Sequence, residues 1–539
     1  MNATTSATTS ATTSATTSST KNATKKGTTG RPNILFITSD QQRGDCYGFE
    51  RPEVQTPHLD RLAREGTRFK AAITPNLVCQ PSRASMLTGM LPLTHGVWDN
   101  GVDLDPAVGE QGFAGALAKA GYSTAFIGKA HFATKATFAP TGTPEDRFNG
   151  DFYDRGWLGP YMGFEHAQLM VLGHMHRARP PQRPIVGHYE RWLRSRGRDE
   201  EAAALWAAET RAGTGAAQTW SSALPLAWHT STWCADRSIE WIGQQDRSKP
   251  FCAWVSFPDP HHPFDAPAPW SSLYDARSLT LPTHRTKDLE RRPWWHRAVL
   301  EGKPDLSDPV MLKFRTEGSR CPDQTDAQLT EMTANYYAMI SLIDHNVGRL
   351  LESLEAQGIA QDTLVVYSTD HGDLLGNHGL YLKHPIPYED LLRIGMIARG
   401  PGIQAGQVVD KPVSTVDLAA TFCEAGGARL AEGAQSRSLL PLLRGESQER
   451  PVAYSEWHVH ASRCGVALKL RTVRTRDAKC TFELGSGAGE LYDLRNDPGE
   501  MVNRFDDPAH KGLRDELEQM MRDRPGEVRD PLHEPIGMA

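Results

Sequence analysis

Asn33-Ile-Leu-Phe-Ile-Thr-Ser-Asp40 is a short apolar run that stops on a carboxylate. A continuous run of this length, rich in β-branched and aromatic side chains, reads as a strand buried on both faces, as in parallel sheets. The design recurs at Thr363-Leu-Val-Val-Tyr-Ser-Thr369, which stops on Asp370-His371. Two further runs fit it: Ser123-Thr-Ala-Phe-Ile127 leads into Gly128-Lys129, and Phe251-Cys-Ala-Trp-Val-Ser-Phe257 leads into Asp259-Pro260-His261. Between them lie stretches of helical periodicity. The clearest is Leu329, Met332, Tyr336, Ile340, Ile343, Val347, Leu350 and Leu354, a core face that ends at Gly358. The alternation predicts an α/β fold, a mostly parallel sheet sandwiched by helices. Open α/β sheets bind ligands beyond the carboxyl ends of their strands, so the polar residues ending these runs are expected to converge.

The chain, at 539 residues, exceeds the size at which one core stops growing, which predicts a large domain and a smaller one. A net charge of −6 offers no basic field for nucleic acid, and no apolar run is long enough to span a bilayer. Eight cysteines (Cys46, Cys79, Cys234, Cys252, Cys321, Cys423, Cys464 and Cys480) are scattered without C-x-x-C spacing. That argues against a zinc ribbon or disulfide scaffold and points to a reducing compartment. Ala-Thr-Thr-Ser units repeat from Ala3 to Ser18 and a Lys/Thr/Gly stretch continues to Gly30, so residues 1–30 read as a disordered leader. The leader lacks the apolar stretch of a signal peptide, which predicts a cytoplasmic protein.

Residues 151–248, rich in Trp, Arg and Gly, read as an insertion that walls a substrate pocket. Within it, His174-Met175-His176 reads as loop rather than as a metal pair. Trp294-Trp295-His296 fits either a pocket wall or a packed segment. Asp40-Gln41 and Asp370-His371 together offer oxygens and one imidazole, a donor set for a hard divalent cation. A single Asp-X pair after a strand serves as a cap or turn at least as often. Two such pairs at strand ends favour a metal: calcium first, with manganese and magnesium open.

Cys79-Gln-Pro-Ser-Arg-Ala-Ser-Met-Leu-Thr-Gly89 completes the set. Pro81 has the fixed φ of a first helical turn, so Cys79 is expected where free N–H groups and the positive dipole end attract anions. A lone cysteine at such a turn is ordinarily an inert, buried thiol. This segment, however, resembles the signature of the type I sulfatases of the alkaline phosphatase superfamily, whose cysteine is oxidised to formylglycine. The resemblance implies an alkaline-phosphatase-like fold, sulfuric ester hydrolysis, a divalent cation to which position 79 adds an oxygen, and maturation by a formylglycine-generating enzyme. One hydroxyl of the hydrated aldehyde would attack sulfur, and the other would later expel sulfate.

Other motifs follow the order of that family. Gly121-Tyr122-Ser-Thr-Ala-Phe-Ile-Gly128-Lys129-Ala130-His131 is similar to a stretch whose lysine holds sulfate charge and whose histidine is a base, implying those roles for Lys129 and His131. Pro260-His261-His262-Pro263-Phe264 resembles the element donating a leaving-group or sulfate-contacting histidine, and aligns His261 with His262 as its neighbour. Lys383 matches the second sulfate-binding lysine, with Lys129, His131 and His261 around the same sulfate. Arg83 is implied to brace nucleophile and metal and to stand among the groups around the sulfate. Asn100, in Val97-Trp-Asp-Asn-Gly101, resembles a substrate-contacting asparagine of choline sulfatases.

Gln41 and His371 depart from the commonest pattern, a second aspartate and an asparagine, and are similar to the choline-sulfatase and phosphonate monoester hydrolase branch. Glu490-Leu-Tyr-Asp-Leu-Arg-Asn-Asp-Pro-Gly-Glu500 matches the closing segment, a small antiparallel sheet leading to a terminal helix whose apolar face is Leu513, Leu517 and Met520. Residues 31–420 are thus expected to form the catalytic domain and 421–539 the C-terminal subdomain. The implied substrate is a small-molecule sulfate ester. A phosphonate monoester or phosphodiester hydrolase is the nearer alternative, a catalytically silent binding protein the further one.

Overall fold

The computed structural model describes Met1, residues 30–171 and residues 186–538. The leader between them and His174-Met175-His176 lie outside the described residues. The four apolar runs form adjacent parallel strands at the centre of an eight-stranded sheet. Across it the order is His166–Leu169, Ser123–Gly128, Phe251–Ser256, Asn33–Ser39, Thr363–Thr369, Met396–Arg399, Thr67–Phe69 and Gln407–Val409. The contact between Thr363–Thr369 and Met396–Arg399 is antiparallel, so the sheet is mixed but mostly parallel. The register aligns the carboxyl ends: Ser39 lies beside Thr369, and Thr38, Ser256 and Gly128 stand in one row. Asp40, Lys129 and Asp370 follow directly at that edge.

Period-two alternation splits each strand between two cores. Phe36 and Trp254 point to one face, their rings 4.7 Å apart, and join Phe113, Phe126 and Phe422 there. Leu35, Ile37, Val255 and Tyr367 point to the other face. That second face is covered by the helices Pro57–Glu65, Thr230–Gly243 and Asp326–Ala356, the last starting in a Thr325/Gln328 capping box. Its buried residues include all of the predicted stripe from Leu329 to Leu354.

The expected C-terminal sheet is present: Ala453–Val459, Leu468–Arg474, Ala478–Glu483 and Gly489–Asp493 form an antiparallel meander. The helix Lys511–Arg522 packs Leu517 on it, with Leu513 and Met520 partly buried beside it. The change of layer does not fall at residue 420. Phe422, Cys423, Leu439, Leu440, Leu442 and Leu443 still belong to the core of the large sheet, so the small sheet begins after Leu443. Residues 151–248 also differ from a plain insertion: His166–Leu169 adds the edge strand of the large sheet, and Thr230–Gly243 covers its second face. Trp295 and His296 are buried in a helix, and His296 Nε2 lies 3.1 Å from Glu490, so these two are packed structure, while Trp294 is exposed. All eight cysteines are free thiols. No described helix is long and apolar enough to cross a membrane.

Candidate active site

The helix Cys79–Thr88 starts against the carboxyl edge of the sheet with every residue buried, so its first turn is aimed at the strand ends. The N–H of Gln80 donates to Asn100 Oδ1 at 3.0 Å, which caps that turn. Cys79, 1 % exposed, sits among the groups the strands deliver. Its Sγ is 3.2 Å from His371 Nε2, 3.2 Å from Lys383 Nζ and 3.6 Å from Asp40 Oδ1. Donor atoms of Asp40, Cys79, Asp370 and His371 all lie within 4.8 Å of one another, the spread of one ion's coordination shell. Burial and Asp40 would raise the Cys79 thiol, but Lys383, Lys129 and His371 together bring it below its ordinary value.

Each ligand candidate is oriented by a second bond. The Gly372 carbonyl lies 2.9 Å from His371 Nδ1 and can only accept, which puts the proton on Nδ1 and leaves the Nε2 lone pair facing the cluster. Asp370 accepts from the N–H groups of Gln41 (3.0 Å) and His371 (2.9 Å) and from Arg83 Nε (2.8 Å). Gln41 has φ 67°, a strained conformation for a non-glycine residue, and His131 at 55° and Leu382 at 57° share it. All three lie in or beside the site. The Gln41 amide donates through Nε2 to Asp373 Oδ2 at 2.5 Å, with His262 Nδ1 at 3.2 Å. Its Oε1 is buried and has no partner among the described residues. A buried acceptor without a partner, on a residue whose N–H binds Asp370, is what a cation would satisfy, so the residues present fit a metal.

Arg83 is fully buried and spends its donors on Asp370, Asp40, the Lys129 carbonyl and Ser256 Oγ. It braces the carboxylates from behind and does not line the cavity, so the expectation that it surrounds the sulfate is not met. Lys129 pairs with Asp40, which holds the Asp40 carboxyl well below the usual range together with Arg83, against the effect of burial. Lys383 Nζ approaches Cys79 Sγ and His371 Nε2 (3.2 Å each) and His261 Nε2 (3.1 Å), and no carboxylate among the described residues pairs with it. His261 Nδ1 faces the His262 carbonyl at 2.6 Å, so that nitrogen is the donor and Nε2 is turned to the lysine. The two histidines therefore divide the work: His261 faces Lys383, and His262 holds Gln41.

These groups open into a cavity of about 430 Å³ lined by Cys79, Asn100, Lys129, His131, His261 and Lys383, with Trp206, Gln218 and Trp220 on a wall from residues 151–248. A larger cleft of about 690 Å³ lies elsewhere, where arginines meet carboxylates of their own, such as Arg43 with Asp390 at 2.7 Å. His131 is 4 % exposed, and neither ring nitrogen has a partner among the described residues. Burial, then Lys129, keeps its pKa well below the ordinary value, so it stands neutral.

Sequence reasoning missed Glu145 and Asp373. Glu145 accepts from the N–H groups of His131 (2.5 Å), Phe132 (2.9 Å) and Ala133 (3.0 Å) and from Tyr161 Oη (2.6 Å), fixing the strained turn that carries His131. Glu145→Ala is expected to lower kcat by about 10- to 100-fold, the usual cost of losing an orienting partner, and Glu145→Gln by less. Steady-state kinetics on both variants, with the pH profile of kcat, check this; an unchanged profile and rate would remove Glu145 from the site.

The sulfatase family model matches residues 32–428, most of the chain. The chain belongs to the sulfatase family. A second model, of the C-terminal region of N-sulphoglucosamine sulphohydrolase, matches residues 376–526. The sulfatase is 26 % identical to an arylsulfatase of Clostridium perfringens over 505 residues, covering 91 % of this chain and 94 % of that one. It is 27 % identical to a choline-sulfatase of Rhizobium meliloti over 498 residues, covering 89 % and 84 %. The crystal structure of a phosphonate monoester hydrolase of Agrobacterium radiobacter superposes with a TM-score of 0.73 at 25 % identity, covering 92 % of this chain and 96 % of that one. Family and relatives make the protein a sulfuric ester hydrolase of the alkaline phosphatase superfamily.

Proposed function

We propose that this sulfatase hydrolyses a small-molecule sulfate ester with formylglycine at position 79 and a divalent cation, calcium first, held by Asp40, Gln41, Asp370 and His371. The observation that carries the proposal is the convergence of Asp40, Asp370 and His371 on Cys79 Sγ at the start of a buried helix, with Gln41 Oε1 buried and without a partner among the described residues. A cation there would polarise a sulfate oxygen as a Lewis acid. Formylglycine at 79, made by a formylglycine-generating enzyme, would supply an oxygen nucleophile in the place Sγ takes here. Lys383, with no carboxylate partner among the described residues, meets the negative charge of the sulfate, and Lys129 adds to that field from its pair with Asp40. Arg83 fixes both metal carboxylates. Neutral His131 takes the proton released at position 79. Asn100 lines the cavity, yet its Oδ1 is used on Gln80, so it positions the nucleophile's helix as well as bordering the substrate.

His261 is placed to protonate the departing oxygen. The His262 carbonyl accepts from Nδ1, which leaves Nε2, 3.1 Å from Lys383 Nζ, as the nitrogen that would carry the proton to the departing oxygen. His261→Ala is expected to lower kcat/KM by about 10²- to 10⁴-fold for alkyl sulfates but far less for nitrophenyl sulfate, because a good leaving group needs little help from an acid. A series of esters graded in leaving-group pKa checks this. An equal loss across the series would make His261 a binding or structural residue.

A phosphonate monoester or phosphodiester hydrolase is the second reading, favoured by the likeness to the Agrobacterium radiobacter enzyme. Both ester classes put one negative charge on a tetrahedral centre, so this cation cluster suits either. Side-by-side kcat/KM on phenyl sulfate and phenyl phenylphosphonate separates them, and a higher value for the sulfate supports the first reading. The fully assembled cluster argues against a silent binding protein.

A further inference from the structure

The cavity holds more positive charge than one sulfate requires. Lys129 is paired with Asp40, Arg463 grips both oxygens of Asp99, and Lys313 lies 3.7 Å from Glu317. Lys383 remains for the sulfate. Two further cations line the same space without a carboxylate among the described residues. Arg315 is 4 % exposed; its Nη2 donates to the Met538 carbonyl at 2.9 Å, and its Nε has no partner. Half-buried Lys135 lines the cavity as well, and its ammonium has no ion pair among the described residues. A guanidinium buried without a counter-ion is costly, and proteins keep such a group where a ligand supplies the charge. Burial, then neighbouring Arg463, brings Arg315 down to about 9 although Asp99 opposes the shift, and burial, then Lys129, brings Lys135 down to about 8 against the pull of Cys79 and Asp40. In the same cavity Trp206 and Trp220, edge to face at 4.7 Å, and Phe314 supply an apolar lining.

We propose that the leaving-group side of this cavity takes an alcohol or phenol bearing its own anionic group, a carboxylate or second sulfate, held by Arg315 and Lys135 while its ring lies on the aromatic wall. The proposal rests on the sulfatase reading above, and it names the substrate class: sulfate esters with two negative charges. The probes are the sulfate esters of 4-hydroxyphenylacetate and of its neutral amide, which differ in charge but little in leaving-group quality. The matched ester carrying a second sulfate in place of the carboxylate distinguishes the two anions.

Wild-type enzyme is expected to prefer the charged esters over the amide by about 10- to 100-fold in kcat/KM, the worth of a charged hydrogen bond. Arg315→Gln and Lys135→Gln should each reduce that ratio by about tenfold, and Arg315→Lys should restore part of it. Far-UV circular dichroism checks folding, and Lys135→Gln and Arg315→Lys carry the test if Arg315→Gln fails to fold. A wild-type ratio near one, or an equal loss on charged and neutral esters in every variant, would overturn the subsite. The first of these outcomes, with the amide still hydrolysed, leaves the sulfatase reading standing. If no ester is hydrolysed by formylglycine-bearing enzyme, that reading fails instead, and calorimetric affinities of the free phenol acid and phenol amide still decide the subsite.

Discussion

Cys79→Ala is expected to abolish turnover, lowering kcat/KM on any sulfate ester by at least about 10⁴-fold, as loss of a nucleophile does in other covalent enzymes. The site is built around this one atom. Lys383, His371 and Asp40 all come within 3.6 Å of Sγ, and the helix that carries it is buried along its whole length. None of those neighbours can replace it, because Lys383 is a cation and Asp40 and His371 are expected metal ligands. The fold should survive, since only a small side chain at a polar site is removed. Cys79→Ser, made in a host that does not oxidise serine, should be equally inactive. Kinetics with a thermal melt check both variants, and residual activity above about 1 % of wild type would contradict a nucleophile at position 79.

Removal of the cation, or of the carboxylate that anchors it, is expected to have the next largest effect. Asp370 is fully buried and answers two backbone N–H groups and Arg83 Nε. Asp370→Ala therefore removes one of the two carboxylates that Arg83 pairs with, as well as a metal ligand, costing up to about 3–5 kcal/mol of stability as broken buried ion pairs do. Asp370→Asn keeps the shape and most acceptors, so it should fold better yet remain inactive. Gln41→Ala removes a neutral donor and should cost less activity than either. Chelation of wild type should abolish activity and lower the melting temperature, because a ligand bound only to the folded state contributes about 2.7 kcal/mol at a hundred times its Kd. Calcium, then manganese and magnesium, added back to the chelated enzyme rank the ions. A chelated enzyme with full activity and an unchanged melt would refute the metal site.

The groups that could be placed from sequence are those whose position is set by a strand. Asp40, Lys129 and Asp370 each follow a buried apolar run, and parallel pairing in register brings such ends level. Sequence periodicity likewise located the long helix. Residues that act by accepting backbone N–H bonds left no comparable trace. Glu145 sits in a polar loop where a carboxylate is unremarked, and Asp373 meets Gln41 across 332 residues of chain. Arg83 was legible as a site residue but not in its orientation, which depends on Ser256 and the Lys129 carbonyl lying behind it. The span 151–248 read as an insertion because its edge strand, His166-Ala-Gln-Leu169, is short and half polar. The subdomain boundary was placed early because Asp417–Ala425 packs back on the large sheet, a tertiary fact without local signal.

The most direct test of the central claim is mass spectrometry of the tryptic peptide Ala71–Arg83 from enzyme that is hydrolysing a sulfate ester. The account predicts that Cys79 is present as the aldehyde, trapped quantitatively by a hydrazide reagent, in a fraction that tracks specific activity. A fully active preparation in which that peptide carries only the unmodified thiol would contradict it.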